Sequence, residues 1–194
     1  MKFKALILVA ILITNSSLAQ KNRALYFSAK EFNKDIALYH AKSFVMDILE
    51  ISNNVTKFQI DPLAASNSGE IISLVYKCEE KKKEGLVLGF YGNRWNENGV
   101  TYNAYSFKNI PKDKADEMLE KIESAVDKFQ KYIDADPDNN NIYFQYDDIV
   151  FLIYRDTNAY GGRTRIRLFW NDYDSEWEYS TFRKTRKRLN KKLD

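Results

Sequence analysis

The stretch "PKDKADEMLEKIESAVDKFQKYIDADPDNNN", Pro111–Asn141, separates two runs of β-prone sequence and decides how both are read. Its apolar positions Ala115, Met118, Leu119, Ile122, Val126, Phe129 and Ile133 recur every three or four residues, which is one face of an α-helix. Pro111 suits the helix start, where a missing N–H costs nothing. "DADPDNNN", Asp134–Asn141, stops it, because Asp and Asn bond nearby backbone and Pro137 cannot extend the ladder.

Upstream, "IISLVYKCEE", the charged turn "KKKEG" and "LVLGFY" read as a strand, an exposed hairpin tip and a strand; "GNRWNENG" then loops to the strand "VTYNAYSF". Downstream, "IYFQY", "IVFLIY" and "TRIRLFW" read as strands, with the loop "DTNAYGGR" before the last. Near the start, Ser28 and Glu31 form a capping box ahead of Leu38, Ala41, Val45, Ile48 and Leu49, so a first helix is expected over about 29–50. "VTKFQI" is a short strand broken at Asp61-Pro62. "DSEWEYSTFRKTRKRLNKKL" reads as a closing helix, its apolar side formed by Tyr179, Phe182, Leu189 and Leu193 and thinning at Thr185 and Arg186. No low-complexity linker intervenes. The expectation is one α+β domain over 20–194, a largely antiparallel sheet with three helices packed on one face.

Sliding the chain by 63 residues aligns "LVLGFYGNRWNENGVTYNAYSFKN" with "IVFLIYRDTNAYGGRTRIRLFWND" without a gap. Loop length, the closing glycines Gly99 and Gly162 and a following helix agree, which suggests an internal repeat over 86–133 and 149–193.

The N-terminus carries Lys2 and Lys4, the apolar run "ALILVAILI" and small residues before Gln20, the pattern of a secretory signal peptide cut after Ala19. The run is about half the ~20 residues a membrane span needs. A secreted or periplasmic protein follows as the expectation, with no transmembrane segment after cleavage. Cys78 is the only cysteine, so no intramolecular disulfide forms; a buried packing role is expected, with an intermolecular bridge as its rival. His40, the only histidine, sits in the first helix as a packing or surface residue. Asn54 opens an Asn-Val-Thr acceptor that matters only in a eukaryotic secretory route.

Removing Lys2 and Lys4 from thirty basic residues leaves 28 against 27 acids, yet "RKTRKRLNKKLD" alone holds seven basic residues and one acid. Such asymmetry hints at an anionic partner for the basic part, against the plainer reading of a solvated helix face. Strand alternation places Arg163, Arg165 and Arg167 on one face and Thr164, Ile166, Leu168 and Trp170 on the core side. That arginine ladder, with Arg183, Arg186 and Lys187 of the closing helix, is the candidate anion-binding set. The rival reading pairs the ladder with acids such as Asp147, Asp148 or Glu178. Trp95 and Tyr160, at loop tips, are candidate partner-contact aromatics.

Asp134, Asp136 and Asp138 occupy positions 1, 3 and 5 of a calcium loop, but Pro137, Asn139 and Gln145 depart from it, the last removing the bidentate clamp. Calcium is the one cofactor candidate. No catalytic motif stands out; a glycosidase-type carboxylate pair needs none. The functional expectation is an exported non-catalytic binding protein for an acidic glycan, a phosphate-rich surface or an acidic protein, with nucleic acid disfavoured. Its rivals are a carboxylate-based hydrolase of cell-wall or polysaccharide material and a structural envelope protein without a small ligand.

Overall fold

The computed structural model describes residues 34–50, 53–95, 98–158 and 162–193. The expected signal segment, Ser28 and Glu31 lie outside the described residues. Among those described, the fold is α+β: helix α1 (Lys34–Ile48), strands β1 (Gln59–Ala65), β2 (Ile71–Cys78), β3 (Lys83–Trp95) and β4 (Thr101–Pro111), helix α2 (Lys112–Ala135), strands β5 (Ile142–Tyr146), β6 (Ile149–Asp156), β7 (Arg163–Trp170) and β8 (Tyr173–Glu178), and helix α3 (Tyr179–Leu193). The strands form two antiparallel meanders, β1-β2-β3-β4 and β5-β6-β7-β8, instead of one continuous sheet.

Two apolar cores hold these layers. The larger joins one face of the first sheet (Ile71, Leu86, Leu88, Phe90) to α2, to the inner face of the second sheet and to α3. Phe90 marks the junction, its ring 4.9 Å from that of Trp170. The smaller core lies on the opposite face of the first sheet, where Ala41 and Val45 of α1, with Leu49 just beyond it, cover Leu74, Tyr76, Val87 and Tyr105. The helices therefore do not share one face: α1 packs opposite α2. Cys78 belongs to this smaller core and is 1% exposed, with its thiol donating to the Lys57 carbonyl. His40 is half-buried against the Tyr105 ring, and burial lowers its pKa. The lysine-rich turn is more than a hairpin tip, because Lys83 donates to the Ile48 carbonyl at 2.9 Å, satisfying the last residue of α1, and Lys81 to that of Glu50 just beyond it.

Three strand boundaries differ from expectation. β1 runs through Asp61-Pro62 with a register shift between Pro62 and Ala64. An edge strand tolerates Pro because one side of its backbone needs no ladder partner, and Ser73 repairs the irregularity by bonding both the N–H and the carbonyl of Ala64 at 3.1 Å. β3 continues through Asn93 and Trp95, which shortens the expected loop. "YDSEWE" is strand β8, not the opening of a helix. Tyr173, Ser175 and Trp177 are buried on one face and alternate with Asp174, Glu176 and Glu178 on the other, a period of two in which Glu178 is itself buried.

β8 also puts the 63-residue echo out of phase. The echo matches β3–β4 with β6–β7, the third and fourth strands of one meander with the second and third of the other, and α2 directly follows its copy while β8 intervenes in the second. Gly99 and Gly162 do share a left-handed conformation, at φ 72° and 63°. The aligned segments are thus similar hairpins in non-equivalent places.

Candidate binding surface on the terminal helix

α3 sorts its cations by the direction each helical position faces. Thr181, Phe182, Thr185, Leu189 and Leu193 are buried. Thr185 fills the point where the apolar side thinned, fully buried with its hydroxyl 2.7 Å from that of Ser73. Since the Ser73 proton goes to the Ala64 carbonyl, Thr185 is the donor, and a polar residue is accommodated in the core without an orphaned group.

The positions flanking that stripe fasten the helix. On one side Arg188 donates to the Leu63 carbonyl of β1, and Lys192 pairs with Asp61 at 3.0 Å. On the other, Arg186 pairs with Glu123 of α2. Lys112, the first residue of α2, donates to the Leu193 carbonyl at 2.8 Å, capping the negative end of α3. The pairings 112 with 193 and 123 with 186 set the two helices antiparallel and side by side.

Four cations remain outward: Arg183, Lys184, Lys187 and Lys191 are exposed, and none belongs to an ion pair among the described residues. With Ser180, Arg186, Asn190 and Glu123, the first three line an open groove of about 540 Å³. Of the expected anion-binding set, Arg183 and Lys187 thus face solvent, while Arg186 is engaged by a carboxylate.

The arginine ladder is different. Its alternation is as expected, with Ile166 and Leu168 buried and the arginines on the opposite face. Cross-strand register sets Arg165 beside Glu178 and Arg167 beside Glu176. Arg165 lies 3.1 Å from Asp156, 3.3 Å from Glu176 and 3.7 Å from Glu178, and Arg167 grips Asp174 with both Nε and Nη2. Burial works against the charge on Arg165, but its three carboxylates outweigh it and raise the pKa. On Arg167 the bond to Asp174 is the largest influence, and the pKa is again raised. Arg165 and Arg167 thus form an ion-pair lattice with four acids, while Arg163 is exposed and belongs to no ion pair among the described residues. Asp156 closes β6, and the other three acids came from β8, the strand read as helix; of these the sequence named Glu178, and the alternation in "YDSEWE" was the signal that could have supplied Asp174 and Glu176.

A second concavity, about 320 Å³, lies between the end of β4, the first turns of α2 and the β5–β6 turn, floored by Ile110, Met118 and Ile149. Its rim is already occupied by internal bonds. Lys108 is held by Asp147 at 3.0 Å and by Asp148, with the Trp170 ring 5.6 Å away. Burial alone would raise the Asp148 pKa, but Lys108 and the Trp170 N–H outweigh it and hold the carboxyl below its ordinary value. Tyr146 donates to Glu117 at 2.7 Å, and burial together with that carboxylate pushes the phenol up to about 12.

The calcium candidates do not converge. Asp134, near the end of α2, pairs with Arg155 at 3.2 Å; Asp136 accepts from the Asn139 amide at 3.0 Å; Asp138 accepts from Thr157 at 3.0 Å. The Asn139 and Asn140 N–H groups both bond the Asp136 carbonyl, which makes the stretch a helix stop and turn. Among the described residues, no three His, Cys, Asp or Glu side chains are grouped to hold a metal ion. The side chain of Trp95 and the whole of Tyr160 lie outside the described residues.

Comparison with protein-family models, with curated proteins and with solved structures finds no match to this chain.

Proposed function

We propose that the protein is an exported, non-catalytic binding module that engages an anionic partner through the outward face of α3. The observation that carries this reading is the division of labour along one helix. Cations next to the core are tied to acceptors of their own chain, whereas Arg183, Lys184, Lys187 and Lys191 are not, so their charge is available to an external anion. Export rests on the N-terminal pattern of charge, short apolar run and small residues. Of the ladder, Arg165 and Arg167 contribute little, because their charges are met by acids on neighbouring strands. A carboxylate-based hydrolase draws no support from the cleft beside α2, where Asp147 is the one lining carboxylate and is paired with Lys108, so no carboxylate pair faces the space.

Retention on immobilised heparin tests the proposal. The mature protein should elute at raised salt, and Arg183→Ala with Lys184→Ala and Lys187→Ala should elute markedly earlier, while Arg167→Ala, whose charge Asp174 already meets, changes elution little. Unchanged elution of the triple variant would overturn it.

A further inference from the structure

The surroundings of the basic ridge narrow the kind of anion it accepts. From Arg183 to Lys191 the ridge spans nine residues, eight helical rises, so Arg183, Lys187 and Lys191 repeat at about 6 Å over about 12 Å. It is one helix wide, and carboxylates border it. On the α2 side, Asp116, Glu120, Glu123 and Asp127 follow one another at spacings of four, three and four, a single helical stripe. That stripe faces α3, because Glu123 meets Arg186 and Asp127 acts on Tyr179 at the start of α3. On the β1 side lies Asp61, joined to Lys192. With acids of neighbouring elements meeting α3 on both sides, an anion wider than the ridge meets repulsion as well as attraction. The outward positions of α3 carry no large apolar side chain to insert below a headgroup layer.

Resting on the reading of α3 as the binding surface, we infer that the partner is a narrow linear polyanion, a flexible chain bearing sulfate or phosphate groups that lies along α3, and not a flat anionic membrane. A single chain places its charges over Arg183, Lys187 and Lys191 while avoiding the acidic stripe of α2. A planar surface must cover both helices.

Three probes test this at one ionic strength: a fluorescent heparin hexasaccharide and a fluorescent polyphosphate of similar charge, followed by anisotropy, and flotation with vesicles containing phosphatidylserine. The expected result is saturable binding of one or both chains, the better one identifying the source of the charge, with no flotation. Arg183→Ala and Lys187→Ala together should lower the slope of log affinity against log salt by about 1.4, at about 0.7 per lost contact. Asp116→Lys with Glu120→Lys, which widens the ridge, should create vesicle binding. Flotation of the unaltered protein as strong as its chain binding would sink the inference and leave the binding surface standing. Failure of chains and vesicles alike would sink both.

Discussion

The two meanders have the same strand order but treat their outer faces in opposite ways. In the first, α1 covers the outer face, and seven of the eight residues of β2 are buried. In the second, β6 alternates buried and half-buried positions, no helix covers the outer face among the described residues, and Arg165 and Arg167 bind Asp156, Asp174, Glu176 and Glu178 across it. A strand covered on both faces reads as a continuous apolar run, and one covered on a single face reads as alternation. The comparison teaches that a sheet face left without a helix still needs its charges matched, and that arginines on such a face are poor evidence of an anion site until the neighbouring strands are known.

Matched leucines test this most severely. Leu74, 1% exposed beneath α1, should lose about 2–5 kcal/mol on Leu74→Ala, whereas Leu152, half-buried on the outer face of the second sheet, should lose under about 1 kcal/mol on Leu152→Ala. Urea denaturation measures both, and equal losses would break the distinction.

Arg165→Ala leaves Asp156, Glu176 and Glu178 facing one another around a site where the arginine side chain was 14% exposed. A loss of about 2–3 kcal/mol is expected, below the figure for a fully buried pair. Arg167→Ala, at a more exposed pair, should cost under about 1 kcal/mol. A reversed order would show that the lattice is not organised around Arg165.

Alkaline titration sharpens the contrast between the faces. Burial beneath α1 raises Tyr105 to about 12; on the second sheet burial raises Tyr154 too, with Glu176 adding to it. Each folded phenol keeps its proton above the pH at which the unfolded chain releases it. Their stabilisation is therefore complete below about pH 10 and fades as pH climbs through the folded values. Unfolding midpoints should fall between pH 10 and 12, and Tyr105→Phe should flatten that fall by about 1.4 kcal/mol per pH unit. An unchanged slope would mean that Tyr105 titrates as it does in the unfolded chain.

The smallest expected effect is that of calcium. A site of ~0.1 mM affinity would add about 2.7 kcal/mol in 10 mM calcium. With Asp134, Asp136 and Asp138 bonded to separate partners, the melting temperature should be the same in calcium and in chelator. A rise lost on Asp136→Ala would restore the calcium loop.

Local patterns carried much of this fold. The stripe of α2 named six residues that are buried, and only Phe129, 39% exposed, departs from it. Alternation in β7 separated its core face from its arginines before any neighbour was known. These features depend on backbone period and side-chain polarity, which a single segment contains. Partnership across the chain is another matter. Whether Arg165 and Arg167 are available depended on β8, and whether Arg186 is available depended on Glu123, sixty-three residues away. Thr185 looked like a break in an apolar side until Ser73 supplied its hydrogen bond. Nor does any local pattern say that α1 takes the opposite face of the first sheet from α2. Charge and hydrogen-bonding groups are valued by what stands opposite them, and only the tertiary structure brings that opposite group into contact.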